Sequence, residues 1–231
     1  MDTQTLQPRP MMELNSDFTA RVAIDTRASP WTPSPEAGVE RKMLDRVGDE
    51  VARATSIVRY APGSRFPSHE HGLGEEFLVL AGTFEDEHGR YPEGTYVRNP
   101  AGSRHAPSAP GGCELFVKLR QFQAGDASRV VIDTRNVPFL PGLVPGLTVL
   151  PLHQFGTEHP LLVLLQDGKR HLEVPRVEEP VGIHGALEHR EDLFRVAREG
   201  AHRGAGAAKD RAASLDERGN AGGLAIAVLS G

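Results

Sequence analysis

Short apolar runs separated by turn residues fill the first half of the chain. They are rich in β-branched side chains, and several stop at a turn residue, such as Pro62-Gly63 or Gly82. Runs of this length with Gly and Pro boundaries predict β-strands, and strands at roughly 8–12-residue spacing indicate a sandwich or barrel. Four runs are predicted strands: residues 54–60, 76–81, 94–98 and 114–120.

The second half of the chain gives weaker signals. Residues 147–155 and 160–165 predict strands, and residues 224–229 predict a closing strand in the place that 115–120 hold in the first half. Residues 196–223 are rich in Ala, Gly, Arg and Asp and poor in large apolar side chains. This composition is typical of a loop or a poorly formed helix.

One segment of the sequence occurs twice. Residues 21–27 (Arg-Val-Ala-Ile-Asp-Thr-Arg) return with one change as residues 129–135, an offset of 108 positions. We therefore predict two copies of one domain, residues 1–125 and 126–231. The alternative is a pair of similar edge strands within one domain. The weaker matches at the same offset include Trp31 with Phe139, Pro33 with Pro141 and Gly48 with Gly156.

The composition is that of a soluble globular protein, with 39% hydrophobic and 25% charged residues over 231 positions. A net charge of −5 leaves no basic surplus for nucleic-acid phosphates. The single cysteine, Cys113, excludes an internal disulfide framework. Residues 1–14 lack the apolar core of a signal peptide, and residues 161–165 are too short to span a membrane. We therefore expect a cytoplasmic protein that binds neither nucleic acid nor membrane.

Residues with metal-binding chemistry cluster between Gly63 and His105. Because side chains alternate faces along a strand, His69 and His71 point the same way, and two imidazoles one pleat apart can chelate one metal ion. Glu75 brings a carboxylate at the start of the next strand, and His105 follows a Pro-Ala-Gly turn that can close the site. These four residues are the predicted metal ligands. The alternative is a polar strand face that binds nothing.

Both blocks of this cluster resemble the two cupin signatures. Residues 63–82 match the first signature at every fixed position: glycine, five residues, His-x-His, three residues, glutamate, six residues, glycine. Residues 94–105 match the second: glycine, five residues, proline, one residue, glycine, two residues, histidine. Ala109 stands where that family pattern has an asparagine, which is not a metal ligand there.

Residues 55–120 resemble in particular the cupin domain of the ChrR anti-sigma-factor family. The resemblance implies an all-β jelly-roll barrel, or double-stranded β-helix, with zinc bound by the equivalents of the four predicted ligands. Together with the repeat, it implies a tandem cupin (bicupin) whose second copy is degenerate. Some relatives in the wider group are metal-dependent dioxygenases that act on diketones or aryl ketones. The matching segments are residues 59–71, 74–80, 84–92 and 94–107.

The chain departs from the full anti-sigma pattern. Such proteins carry an N-terminal helical zinc domain with a His–three–Cys–two–Cys pattern. Residues 1–50 hold no histidine and Cys113 is the only cysteine, so we expect no binding of a sigma factor through such a domain.

The second copy also departs from the ligand pattern. Aligning Gly63 with Gly168 leaves one residue in the four ligand positions, an aspartate, that could bind a metal. We therefore predict that residues 126–231 bind no metal and serve to pack against the first domain. The four positions hold Val174, Arg176, Pro180 and Asp210.

Other polar residues near the cluster have simpler interpretations. Glu76 lies on the opposite strand face from Glu75 and is predicted to be a solvated or interstrand charge. His88 belongs to a solvated acidic turn, and Cys113 is predicted to be a small buried apolar residue rather than a nucleophile. The sequence does not indicate which faces are occupied by Tyr60, Arg98, Arg104 and Lys118.

Two main classes of function fit this site. One is a sensory or binding module, in which zinc is held by four protein ligands and the barrel responds to a small molecule or stress signal. The alternative is an Fe(II)-dependent dioxygenase that cleaves a diketone or aryl ketone. Zinc is preferred over iron or manganese, and no catalytic residue is assigned beyond the metal ligands. A barrel that binds a small molecule without catalysis is a third option, and exposed sheet edges are compatible with a homodimer.

Overall fold

The computed structural model describes residues 11–20, 22, 24–142, 147–165 and 224–225. Within these ranges the chain forms antiparallel strands and one short 3-10 turn, so the predicted all-β class is confirmed. The chain divides into two compact units, Met1–Val131 and Ile132–Gly231. Among the described residues, no helix has the length and apolar character of a membrane span.

Twelve strands precede the boundary between the units. The bounds of β1 to β12 are, in order, Glu13–Leu14, Thr32–Pro33, Val39–Val47, Arg53–Tyr60, Ser64–Arg65, His69–Glu70, Glu75–Asp86, Gly89–Pro92, Thr95–Asn99, Arg104–His105, Ser108–Ala109 and Cys113–Leu119.

A thirteenth strand, β13, covers Val130–Asp133 and straddles the boundary, and the 3-10 turn Thr134–Asn136 follows it. The strands of the second unit that the structure describes are β14 Leu140–Pro141, β15 Leu147–Pro151, β16 Leu161–Leu165 and β17 Leu224–Ala225. They form one antiparallel sheet in that order.

The long strand β7 organises the first unit. The main sheet has the order β1-β3-β4-β12-β7-β11-β5, with β2 added on β3 and with β8 and β9 added on β7. β12 lies between β4 and β7 and pairs with both along its whole length. A separate two-stranded pair, β6 with β10, carries two of the predicted ligands.

Alternation along β7 separates an apolar core from a buried polar face. Phe77 and Val79 face the core, which aromatic rings dominate because each buries a large apolar area. The Phe77 and Phe84 rings pack edge to face with centroids 4.9 Å apart, and Tyr60 meets Phe84 in the same way at 5.5 Å. Glu75 shares this face of β7, and Glu76 points to the other.

The polar face of β7 is a buried charge network. Glu76 is only 3% exposed, and its Oε2 accepts hydrogen bonds from Arg98 Nη1 (3.0 Å) and the Tyr96 hydroxyl (2.5 Å). Lys118 Nζ lies 3.1 Å from its Oε1. Arg98 also donates to Asp126 Oδ2 at 2.7 Å. Glu76 on β7 is therefore an interstrand charge that contacts β9 and β12. This agrees with one of the two predictions for this residue, and the other prediction, a solvated charge, is wrong.

The strands predicted in the first half are all present, but one long strand was missed. β3 carries five charged side chains among nine residues, so it has no hydrophobic alternation to detect. It pairs with β4 along nearly its whole length, and two ion pairs accompany this ladder: Glu40 lies 2.6 Å from Arg59, and Asp45 lies 4.0 Å from Arg53. In the second half, the predicted strands 147–155 and 160–165 are present as the shorter strands β15 and β16. Only two residues of the predicted strand 224–229 are described.

The sequence repeat has a counterpart in strand pairing. β2 pairs Thr32 with Arg41, and β14 pairs residues 108 positions further on, Leu140 with Val149. β3 and β15 begin 108 positions apart, and so do β4 and β16. The register of β15 with β16 differs from the register of β3 with β4. The paired residues of β15 and β16 are closer to each other in the sequence. The two units therefore share the register of their first hairpin and differ beyond it.

Candidate metal centre

The short pair β6–β10 brings two distant histidines side by side. His69 and His105 are direct cross-strand partners, although 36 positions separate them in the sequence. Gly102, with φ of +81°, lies in the turn just before β10, and Gly63, also at +81°, lies in the turn before β5, the strand that precedes β6. The left-handed conformation at these positions favours glycine, and at Gly102 it lets the chain reverse just before His105.

His71 and Glu75 are joined by a tight loop. The His71 N–H donates to the Ser103 carbonyl at 2.9 Å, and the Gly102 N–H donates to the His71 carbonyl at 2.9 Å, which ties the loop to the turn before β10. Gly74 has φ of +80°, and a Cβ there would lie 2.5 Å from Cγ of the Phe122 ring. Only glycine fits this position, and it delivers Glu75 to the first residue of β7.

The structure brings all four predicted residues into one cluster. One ligand atom from each of His69, His71, Glu75 and His105 lies within 4.8 Å of all the others. The Nε2 atoms of His69 and His71 are 3.2 Å apart. Glu75 Oε2 lies 3.4 Å from His71 Nε2 and 3.5 Å from His105 Nε2. Three of the four residues are buried, and His69 is partly exposed.

Each histidine turns its Nδ1 away from the cluster towards a hydrogen-bond partner. His69 Nδ1 donates to the Pro67 carbonyl at 2.9 Å, which leaves a lone pair on its Nε2. His71 Nδ1 meets Ser103 Oγ at 3.1 Å, and His105 Nδ1 meets a carboxylate oxygen of Asp86 at 3.1 Å. Metal-binding histidines are oriented in this way in proteins.

The donor atoms fit a cation. His105 Nε2 is buried and has no hydrogen-bond partner in the described chain, and buried polar atoms are rarely left in this state. The facing Nε2 atoms of His69 and His71 would place lone pairs opposite each other if both imidazoles are neutral. A positive ion among three imidazoles and a carboxylate satisfies all four groups.

Metal binding needs neutral imidazoles and a charged carboxylate, and the surroundings favour the neutral form at His71 but not at His105 in the metal-free protein. Burial lowers the pKa of His71, against the opposing charge of Glu75. Burial also acts to lower the pKa of His105, but the hydrogen bond to Asp86 and the charge of Glu75 raise it above its ordinary value. Burial likewise opposes charge on Asp86, yet the hydrogen bonds that it accepts, first from His105, keep the pKa of that carboxyl low.

Comparison with protein families tests the resemblance found in the sequence. The model of the ChrR cupin-like domain matches residues 19–123. The match covers 105 of the 231 residues, and over this range the chain is similar to the ChrR cupin-like domain family. The resemblance found in the sequence is thereby confirmed, and its two signature blocks both lie inside the matched range.

Solved structures similar to the chain include enzymes and a regulatory complex. A candidate dioxygenase from Nostoc punctiforme is 16% identical, with 59% of this chain and 55% of that chain covered and a TM-score of 0.47. An acetylacetone dioxygenase from Acinetobacter johnsonii is 23% identical over 43% of this chain and 72% of that chain, with a TM-score of 0.35. Rhodobacter sphaeroides SigE in complex with the anti-sigma ChrR is 24% identical over 41% and 51%, with a TM-score of 0.36.

The chain spans about half the length of the first and third of these structures. No curated protein sequence matches it.

Asp86 is a residue beside the cluster that the sequence analysis missed. It belongs to an acidic turn that the sequence indicates as solvated, but its side chain is almost wholly buried against His105. No local pattern marks it, because the contact depends on how the end of β7 lies against β10. Its neighbour His88 is exposed, as expected for a turn residue.

The other polar and reactive residues considered in the sequence lie in different parts of the first unit. Tyr60 is part of the apolar core, Arg98 and Lys118 belong to the charge network of Glu76, and Arg104 is exposed and paired with Glu70. Cys113 is buried, as predicted, and burial raises the pKa of its thiol to about 12. The positions aligned with ligands in the second copy, Val174, Arg176, Pro180 and Asp210, lie outside the described residues.

Proposed function

We propose that the ChrR cupin-like domain holds one zinc ion through His69, His71, Glu75 and His105, and acts as a binding module that responds to a small molecule or stress signal. The spacing of the donor atoms supports this proposal most directly. Zinc bonds of about 2.0–2.1 Å in a tetrahedral site place neighbouring donors about 3.4 Å apart. Three of the six donor separations are 3.2, 3.4 and 3.5 Å, and all six are within 4.8 Å.

A zinc ion at this place would connect separate parts of the domain. The four ligands belong to β6, the loop after it, β7 and β10, so the ion would cross-link four segments of the chain. When bound, zinc supplies a fixed positive charge and Lewis acidity without redox chemistry. The chain's own contribution is to orient the three imidazoles and to shield them in a largely buried site.

Metal titration with cobalt as a spectroscopic substitute tests this proposal. We expect metal-free protein to bind one Co(II) per chain with the intense visible absorption of four-coordinate cobalt, and one equivalent of Zn(II) to displace it. His105→Ala should lose this spectrum. His88→Ala is the matched control, because His88 is an exposed histidine 17 positions away that lies outside the cluster. Absence of binding by the unchanged chain, or an unchanged spectrum in His105→Ala, contradicts the proposal.

A second candidate function is an Fe(II)-dependent dioxygenase of diketones or aryl ketones. The partial exposure of His69 favours it, because a reacting molecule can approach the metal from that side. The Phe66 ring borders His69 at 5.1 Å and the Phe84 ring borders His105 at 6.0 Å, so aromatic rings line part of the surroundings of the cluster. Oxygen uptake by Fe(II)-loaded protein with acetylacetone tests it. Uptake that zinc abolishes supports the enzyme, and no uptake above free Fe(II) excludes this substrate.

We further infer that the second unit is a degenerate cupin copy, so that the chain is a bicupin divided near residues 125 and 126. The shared register of the first hairpin supports this inference. The repeated segment also makes the same turn twice: Asp25 accepts from Arg27 N at 2.9 Å, and Asp133 accepts from Arg135 N at 3.2 Å. We expect one metal ion per chain, and two tightly bound ions would contradict the absence of ligands in the second copy.

A further inference from the structure

The hydrogen bonds around Asp86 define a second layer behind the metal cluster. Its Oδ2 lies 3.1 Å from His105 Nδ1, and both side chains are nearly inaccessible to solvent. Its Oδ1 accepts three hydrogen bonds, from the backbone N–H of His88 (2.8 Å) and Gly89 (3.1 Å) and from the Tyr91 hydroxyl (3.0 Å). The carboxylate is therefore held in one orientation with a single oxygen directed at the imidazole.

The chain of contacts continues outward from Asp86. Tyr91 is buried in the core, and its hydroxyl accepts a hydrogen bond from Arg129 Nη2 at 2.9 Å. Because that oxygen accepts from the arginine, its own proton is directed to Asp86. Arg129 thus helps to fix the carboxylate through Tyr91, and the series Arg129–Tyr91–Asp86–His105 ends at the cluster.

We propose that Asp86 is the positioning residue of the metal centre and that it fixes the tautomer of His105. A carboxylate only accepts hydrogen bonds, so the imidazole facing it carries its proton on Nδ1. The lone pair is then on Nε2, the atom that lies 3.5 Å from Glu75 Oε2. This inference deepens the proposed metal site and rests on it for its function, but the tautomer itself is a property of the metal-free protein.

Asp86→Asn tests the proposal with little change in shape. The carbonyl oxygen of the new amide takes the place of Oδ1 and accepts the same three hydrogen bonds, so the turn is preserved. The amide NH₂ then faces His105 Nδ1 and, because it can only donate, favours the tautomer with the proton on Nε2. An imidazole in that tautomer has no lone pair for the metal. We expect zinc affinity to fall by about 10–100-fold, the range for loss of such supporting contacts.

The matched control is Glu85→Gln. Glu85 lies in the same hairpin and pairs with Arg90 at 2.7 Å, away from the cluster. We expect its zinc affinity to stay within about threefold of the unchanged chain, against the 10–100-fold loss above. Thermal unfolding of the metal-free forms checks that Asp86→Asn is folded. If it is not, Tyr91→Phe replaces it, and a smaller loss of zinc affinity with an intact fold is the expected result.

Long-range ¹H–¹⁵N NMR of the histidine rings provides the decisive readout. In metal-free protein we expect His105 to carry its proton on Nδ1, and in Asp86→Asn on Nε2, with His105→Ala identifying the signals. The proposal is overturned if Asp86→Asn keeps the Nδ1 proton, or if its zinc affinity equals that of the control. Failure of the unchanged chain to bind zinc would instead refute the metal site, and the NMR result would still decide the role of Asp86.

Discussion

Removal of the Arg98 guanidinium should strongly destabilise the first unit. Arg98 is fully buried, donates to Glu76 at 3.0 Å and to Asp126 at 2.7 Å, and lies 3.5 Å from the centre of the Phe122 ring. In Arg98→Met the apolar part of the side chain is kept, but both carboxylates lose a buried cationic partner. Breaking a buried ion pair by removing one partner costs about 3–5 kcal/mol. Lys118 still faces Glu76, so the expected loss is near the lower end of that range.

Urea unfolding followed by tryptophan fluorescence measures this loss in the relevant unit. Trp31 is the only tryptophan of the chain and lies in the first unit, stacked against the Lys42 and Arg59 cations. We expect the free energy of unfolding of Arg98→Met to fall by about 3 kcal/mol.

Arg90→Met is the control, because Arg90 is 76% exposed and its ion pair with Glu85 should contribute about 0–1 kcal/mol. A loss in Arg98→Met as small as that of the control would refute the assignment of the buried network as a stabilising element. If the slope of the unfolding free energy against urea concentration is the same in both proteins, the loss of stability is not caused by a change in the denatured state.

Three further predictions concern other positions. Gly74→Ala should lower the free energy of unfolding in urea by at least about 1–2 kcal/mol, because the φ of +80° and the Phe122 ring both oppose a Cβ at this position. Gly111→Ala is the control, because a Cβ there meets open space, and equal losses in the two variants would contradict the prediction. Cys113 should resist iodoacetamide at pH 8 in native protein, since burial raises its pKa to about 12, and rapid labelling by mass spectrometry would refute its burial. Burial opposes the charge of Glu76, but its cationic and hydroxyl partners hold its pKa below the ordinary 4.5. Its contribution to the free energy of unfolding is therefore present above pH 4.5 and is lost as the pH falls through the lower pKa of the folded state. Glu76→Gln should flatten this dependence of stability on acid pH, and an unchanged pH profile would contradict the prediction.

The candidate site was readable from the sequence because its geometry is mostly local. His69 and His71 are two residues apart, in and just after a short strand. Glu75 follows after a loop in which a glycine adopts the positive φ that a tight turn requires. His105 required more, namely the second motif block, since its partnership with His69 depends on the pairing of β6 with β10. The spacing of the two blocks therefore predicted which four residues come together.

The parts that the sequence did not reveal depend on tertiary contacts or on charge. β3 was missed because five of its nine residues are charged, so no hydrophobic period marks it, and its place depends on backbone pairing with β4. Asp86 was missed because an acidic turn gives the same local signal whether it faces solvent or a histidine. Glu76 was left between two interpretations because alternation fixes its face but not what covers that face.

The metal content of the purified protein tests the central claim most directly. The full chain should be prepared without a histidine tag or chelator, dialysed, and measured by elemental mass spectrometry beside His105→Ala and His88→Ala. We predict one zinc ion per chain in the unchanged protein and in His88→Ala, and loss of that zinc in His105→Ala. Absence of stoichiometric metal even after reconstitution with zinc, or full retention of zinc by His105→Ala, would contradict the assignment of these four residues as a metal centre.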